Sequence, residues 1–342
     1  MASRAYTNSP GGNTQYQALK DFLWTPAAHV YLDQFVQQHE IDKNTGQSVQ
    51  LRRIVPMPID STPSGVVEGV SPASQAFTSE DYTGSLTRYA EVYEISRINY
   101  DLSPFNETRE GTKQLRVKVD RIRERVRYNA AKAGTGVLYN SSSISTRATV
   151  NGVITLGRLQ KAIKELRANR ADPWTEVDHG SDKVGSTPVE PCYIALCSTD
   201  LEPDLRNIPG FTVTANTSGA KFKGEFGVVQ NLRFITNADY VAFTGADHGA
   251  AIGSSGFIST DGVYNDVYPI IILAKGSLAG VKLRGARATG MGNGNVRVLD
   301  QPDKSDPTGE RVLLAADWYD LCLDVGDPYM RRVEVAATAN PT

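Results

Sequence analysis

The stretch KQLRVKVDRIRERVRYNAAKAG, residues 113–134, carries eight basic residues against two acidic ones. The chain around it is nearly neutral, with 36 Lys and Arg against 38 Asp and Glu and a formal charge of -2. The spacing predicts one long helix over 104–134. Pro104 opens it, Glu107 and Glu110 sit in its first turns, and Gly134 closes it. Proline at the start, acids near the positive end of the helix dipole and glycine past the last turn are the expected signature. At about 1.5 Å per residue such a helix runs to roughly 45 Å, longer than a compact small domain is wide. Leu115, Val119, Ile122, Val126, Ala130 and Ala133 form one narrow apolar stripe along it. Lys113, Arg116, Lys118, Arg121, Arg123, Arg125, Arg127 and Lys132 fill much of the remaining surface. One side alone is therefore expected to be buried within the chain, and the rod needs an elongated domain or other copies alongside. Three readings of the basic surface stay open: a solvated face paired internally through Asp120 and Glu124, a contact with acidic groups on neighbouring subunits, or a face toward nucleic acid.

On the N-terminal side of the helix, residues 1–49 are polar, and only YQALKDFL (16–23) and AAHVYLDQFVQQHE (27–40) have helical spacing. From residue 50 to 96 come Pro56, Pro58, Pro63 and Pro72, then the strand-like GSLTRYAEVYEIS (84–96). There Leu86, Ala90 and Val92 point to one face and Tyr89, Tyr93 and Ile95 to the other, so both faces carry packing groups. Residues 50–96 accordingly read as a long hairpin projecting from the body, with one face left for another subunit; the alternative is a long surface loop. Residues 1–100 hold ten acidic and seven basic residues, whereas 101–134 hold nine basic and five acidic, so hairpin and helix are complementary in charge. Glu68, Glu80, Asp81, Tyr89 and Tyr93 on the hairpin, with Arg116, Arg121, Arg123, Arg125 and Arg127 on the helix, are the candidate subunit-interface residues.

On the C-terminal side, ITLGRLQKAIKELRANR (154–170) is an amphipathic helix with Thr155 as N-cap and Leu156, Leu159, Ile163 and Leu166 on one face. Strands CYIAL (192–196), VVQNLRFIT (228–236) and VYPIIIL (267–273) alternate with a short helix near 199–207, an α+β pattern. The tail segments VKLRG, NVRVLDQ, RVLLAADWYDLCLD and RRVEVAA suit strands that return to pack on the long helix. Of the 342 residues 40% are hydrophobic, enough for a sizeable core.

The usual chemistries find little support. ATGMGNGNV (288–296) is glycine-rich but leads into a strand, where a phosphate cradle needs a helix N-terminus. Asp178-His179 and Asp247-His248 lie in loops with no nucleophile elbow near them in sequence. Cys192 and Cys197, five apart on one strand, face opposite sides, so no zinc cluster forms, and the three cysteines suit a reducing compartment. The expectation is a non-enzyme without cofactor or metal, neither secreted by the usual route nor membrane-embedded.

The order of parts resembles the major capsid proteins of tailed bacteriophages with the Hong Kong 97-type fold. GVVEGVSPASQAFTSEDYTGSLTRYAEVYEIS (65–96), ITLGRLQKAIKELRANRADPW (154–174) and KFKGEFGVVQNLRFITNADY (221–240) are similar to the branch named after phage N-four. The resemblance implies an N-terminal arm at 1–49, an extended loop at 50–100, a peripheral domain from 101–150 and 280–342 with a spine helix at 104–134, and an axial domain at 151–279. It implies hexamers and pentamers that close into an icosahedral shell around double-stranded DNA in the virion, assembled in the host cytoplasm from a precursor that expands on packaging. Its implied partners are further copies of the chain, a scaffolding protein, a portal protein and a decoration protein, with no sequence-specific DNA contact. Cross-linked members use a lysine on the extended loop; no lysine occurs between Lys43 and Lys113, which implies a non-covalent shell. The arm is short for a built-in scaffolding domain, which implies a separate one. An encapsulin-like bacterial compartment is the alternative with the same fold.

Overall fold

The computed structural model describes residues 28–55, 68–69, 76, 78–103, 106–177, 187–216, 220–252, 256–284, 295–302 and 306–339. In chain order the strands are β1 (Gln37–Ile41), β2 (Ser48–Ile54), β3 (Ser79–Ser85), β4 (Thr87–Ser96), β5 (Val137–Tyr139), β6 (Trp174–Val177), β7 (Thr187–Cys197), β8 (Thr212–Val213), β9 (Glu225–Val229), β10 (Leu232–Thr236), β11 (Tyr268–Leu273), β12 (Leu278–Leu283), β13 (Asn295–Leu299), β14 (Arg311–Asp324) and β15 (Met330–Val335). The helices are α1 (Arg97–Leu102), α2 (Glu107–Lys132), α3 (Leu156–Ala168) and α4 (Glu202–Arg206).

An eight-stranded sheet runs β5-β15-β11-β7-β10-β9-β8, with β6 beside β7. Its central strands are apolar at nearly every position because both faces are covered. Tyr193, Ala195 and Cys197 of β7 and Ile270 and Ile272 of β11 join Leu159, Ile163 and Leu166 of α3 on one side. Cys192, Ile194, Leu196, Ile271 and Leu273 meet Tyr128 and Ala131 of α2 and Leu32, Phe35 and Val36 on the other. Cys192 and Cys197 thus fall on opposite faces, as alternation requires.

A five-stranded sheet runs β1-β12-β14-β13, with β4 on the other side of β14. Its inner face packs on the first half of α2, where Leu115 and Val119 meet Ile95, Val312, Leu314, Ala316 and Trp318. Among the described residues β2 and β3 pair only with each other, in register from Ser48 opposite Ser85 to Ile54 opposite Ser79.

Several expectations change. The helical spacing of residues 27–40 gives way to a short 3-10 turn at Leu32–Gln34 and then β1, which pairs in parallel with β12. Tertiary burial of Leu32, Phe35 and Val36 overrides that spacing. RRVEVAA forms β15, which joins the central sheet between β11 and β5 and meets the far half of the long helix there, Met330 packing in one cluster with Tyr128 and Ala131. The strand at 84–96 does not project along its whole length. It divides at Leu86, which is buried, and β4 then lies along β14 for ten residues, so the free hairpin is β2 and β3. The long helix starts at Glu107, capped by the Asn106 side chain on the Arg109 N–H, while Pro104 lies outside the described residues. Gly134 follows the cap residue Ala133 without a left-handed turn, and the end of the Met330 side chain lies where a side chain at 134 would begin. Segments 16–23 and 288–294 and the pair Asp178-His179 also lie outside the described residues.

Candidate assembly surface

α2 has 26 residues and an expected length of about 39 Å. Its buried residues are not the straight stripe of the apolar pattern. They are Gly111, Leu115, Val119, Arg123, Glu124, Arg127, Tyr128 and Ala131. Five of these steps follow the i+4 row, which turns by about 40° every four residues because a turn holds 3.6. The covered side therefore winds around the helix: its first half faces the β4–β14 sheet, and its second half faces the central sheet and the segment at 28–36.

Where the two coverings meet, the helix contributes charge. Glu124 is fully buried and accepts from the N–H groups of Tyr31 and Leu32 at 3.1 Å and from the Tyr240 hydroxyl at 2.7 Å. Burial pushes its carboxyl up from the ordinary range, against the pull of those three donors. Arg127 is also fully buried, between Asp33 and Asp320, and Arg123 pairs with Asp33 at 3.6 Å. This corrects the expectation that the basic side chains all stand on an open face: Arg123 and Arg127 are interior, held by acids of the same chain. Arg121 is exposed but bonds Asp239 through its guanidinium, and Lys118 pairs with Glu91 of β4 at 2.5 Å. Arg116 and Arg125 are exposed, with no ion pair to any of the described residues. At the helix end Lys132 donates to the carbonyls of Val241 and Ala242 and lies 3.7 Å from the Phe243 ring. Burial, then Arg147 and Arg332, pushes its amine down to about 8.

On the hairpin, Arg52 makes a forked pair with Asp81 at 2.6 and 2.9 Å, and Tyr82 donates to Glu80 at 2.7 Å. Arg53 anchors the hairpin root, donating to the Gly276 carbonyl at 2.6 Å and lying over the Tyr329 ring. Glu68 is exposed in a turn. Tyr89 stacks on Trp318 with centroids 5.7 Å apart, so it belongs to the chain's own packing, whereas Tyr93 is 53% exposed.

Sequence reasoning passed over the apolar groups that stand in solvent. Ile98 and Leu102 of α1 are 66% and 78% exposed, and Val92, Val298, Leu299 and Ile54 are about half or more exposed. The Arg97–Asp300 pair at 2.5 Å ties α1 to the residue that follows β13. The i,i+4 spacing of Ile98 and Leu102 in RINYDL was the available signal. Large apolar side chains standing exposed together are the kind of surface that protein contacts use.

Among the described residues no group of His, Cys, Asp and Glu is placed to hold a metal ion. His248 stacks on Tyr264 at 3.7 Å, and Asp247 pairs with Arg147 at 3.1 Å, which separates the two members of that sequence pair into structural roles. No described helix is long and apolar enough to cross a membrane.

The phage capsid protein family matches residues 80–300. A major capsid protein of Pseudomonas phage KPP21 is 22% identical over 180 residues, covering 48% of this chain and 44% of that protein. The match thus spans less than half the length of this curated relative. The capsid of Ralstonia phage GP4 is similar in structure with a TM-score of 0.72 at 11% identity, over 100% of both chains. The head structure of Helicobacter pylori bacteriophage KHP40 gives 0.65 at 11% identity over 98% of each chain. At these identities the structural likeness shows the fold, a mixed helix-and-sheet architecture shared with phage capsids. The family match covers well over half the chain: the chain belongs to the phage capsid protein family.

Proposed function

We propose that the chain is the shell subunit of a tailed phage, forming hexamers and pentamers of an icosahedral capsid around double-stranded DNA. Its place is the virion and its first partner is itself. The observation that carries the reading is the set of exposed apolar side chains on α1, β4 and β13, together with a hairpin, β2 and β3, that pairs with no other strand among the described residues. In a shell, many modest and partly polar interfaces of this kind add up through closed symmetry.

On this reading the fold is of the Hong Kong 97 type, with arm 1–49, extended loop 50–100, peripheral domain 101–150 and 280–342, and axial domain 151–279. Assembly passes through a scaffolded precursor in the host cytoplasm, with a portal protein at one vertex and a decoration protein as a further partner. Arg116, Arg121 and Arg125 with Glu68, Glu80, Asp81 and Tyr93 serve as contacts between subunits, and the shell is non-covalent. The phage family match leaves the bacterial-compartment alternative unfavoured.

The test is expression of the chain followed by electron microscopy and a nucleic-acid assay of purified particles from phage-infected cells. Shells containing DNA are expected. A monomer that never assembles, with or without a scaffold from the same phage, overturns the reading. Reversing Arg116 and Arg125 together to Glu is expected to leave the chain soluble and folded while lowering shell yield.

A further inference from the structure

β4 is ten residues long and lies antiparallel to β14 from end to end. Among the described residues no other strand pairs with it. Its free edge can be identified. The Leu86 N–H donates to the Gln47 carbonyl at 2.9 Å and Gln47 Nε2 donates to the Leu86 carbonyl at 2.9 Å, so residue 86 faces away from β14. The Arg97 N–H donates to the Glu310 carbonyl at 2.8 Å, so residue 97 faces β14. By alternation, Arg88, Ala90, Val92 and Glu94 aim their backbone groups at the open edge. That edge also carries exposed apolar surface, with Val92 59% and Tyr93 53% exposed. A long free edge of this kind is a template for another strand.

We infer that the free edge of β4 pairs with the same edge of a second copy, antiparallel about a two-fold axis at Glu91, so that one sheet runs through two subunits. The inference rests on the shell reading above and deepens it by naming one contact. The alternation of backbone direction and of side-chain face restricts an antiparallel self-pairing to registers that join even positions with even ones. Among these, the register centred on Glu91 sets Arg88 opposite the second copy's Glu94, twice by symmetry. It also sets Ala90 opposite Val92 on the same face and Tyr89 opposite Tyr93 on the other. Shifting the centre by one residue sets Arg88 opposite Val92 or Ser96 and loses both unlike pairs. The two Glu91 carboxylates then meet near the axis, each already neutralised by Lys118 of its own α2 at 2.5 Å. The two-fold contact is isologous, with one patch used by both partners, and its backbone ladder is the strand-addition mode of recognition.

Within one chain Arg88 pairs with Asp317 at 2.9 Å and Glu94 with Arg311 at 3.8 Å. This makes a charge swap decisive. Arg88→Glu alone and Glu94→Arg alone each place like charges together both within the chain and across the axis. The double swap keeps both clashes within the chain but restores opposite charges across the axis. Shell yield by gradient sedimentation is expected to fall at least several-fold for each single variant and to recover in the double. A double variant as poor as the worse single one overturns the pairing. A second measurement reads the register directly: Glu91→Cys shells, oxidised and digested, are expected to give a peptide joined 91 to 91. In such a pair opposite Cβ atoms approach to about 4.5 Å, within disulfide reach. A link from the introduced thiol to any of the native cysteines, or no link in intact shells, overturns it. Wild-type chains that form no shells would refute the parent reading; wild-type shells with unrecovered double swaps refute this contact alone.

Discussion

Replacing Glu124 with Ala tests the junction at the middle of α2. The carboxylate is fully buried and satisfies the N–H groups of Tyr31 and Leu32 and the hydroxyl of Tyr240. Alanine leaves three donors without an acceptor, and each buried orphan costs about 1–3 kcal/mol. Two effects hold the sum near the low end. Tyr31 is only half-buried, so water reaches its N–H, and removing the carboxylate relieves the cost of burying a charge, the first cause of its raised pKa. A net loss of about 3 kcal/mol follows, a large share of the 5–15 kcal/mol typical of a folded protein. At about 2 °C per kcal/mol for a chain of this size, the midpoint should drop by about 6 °C. Urea unfolding of the unassembled chain measures the total, and hydrogen exchange localises it. Amides at 28–36 should lose protection while those of β7 and β11 keep theirs. An unchanged midpoint with Leu32 still protected would show that the segment is held by its apolar side chains alone and refute the reasoning.

Asp324 is pushed up to about 6, by burial first, then Asp327, against the pull of the Gly326 N–H and Arg53. A carboxyl whose folded pKa is raised binds its proton more tightly when folded, so it opposes folding above that pKa and ceases to do so as the pH falls below the unfolded value near 4. Asp324→Asn should therefore stabilise the chain at pH 7.5 by about 1–2 kcal/mol after allowance for solvent screening, with the gain fading between pH 7 and 4 in denaturant titrations. Gly249→Ala should destabilise by about 1–3 kcal/mol, since the new methyl would lie 2.8 Å from the Val150 carbonyl and 3.2 Å from that of Asn265, backbone atoms that cannot turn aside. Thermal melting checks it, and an unchanged midpoint would count against the packing at that loop. Burial raises the thiols of Cys192 to about 11 and of Cys322 to about 12 and holds Cys197 higher still. None of the three should react with a thiol reagent at pH 8 within minutes, whereas all should react in urea.

Much of the framework was legible because apolar periodicity is a local signal. The face of α3, the buried strands β7, β10 and β11 and the placement of Cys192 and Cys197 all follow from spacing alone. The long helix was legible as a helix but not in its burial, because Arg123, Glu124 and Arg127 lie on the covered row and carry charge. Partners distant in sequence, Asp33, Asp320, Tyr240 and the N–H groups of Tyr31 and Leu32, offset the cost of that burial. The helical spacing of 27–40 misled for a similar reason: it lost to a parallel pairing with β12, which no local pattern records. The division of 84–96 between hairpin and sheet depended on the length of β14, again a distant fact.

The winding of the covered row on α2 has a mechanical consequence. A straight stripe would let a sheet slide along the rod without turning. Here the contacts follow a screw thread of about 40° for every 6 Å of travel. A sheet that advances along the axis while keeping its grip must rotate as it goes, so a shift at one end of the rod becomes a twist between the two sheets bolted to it.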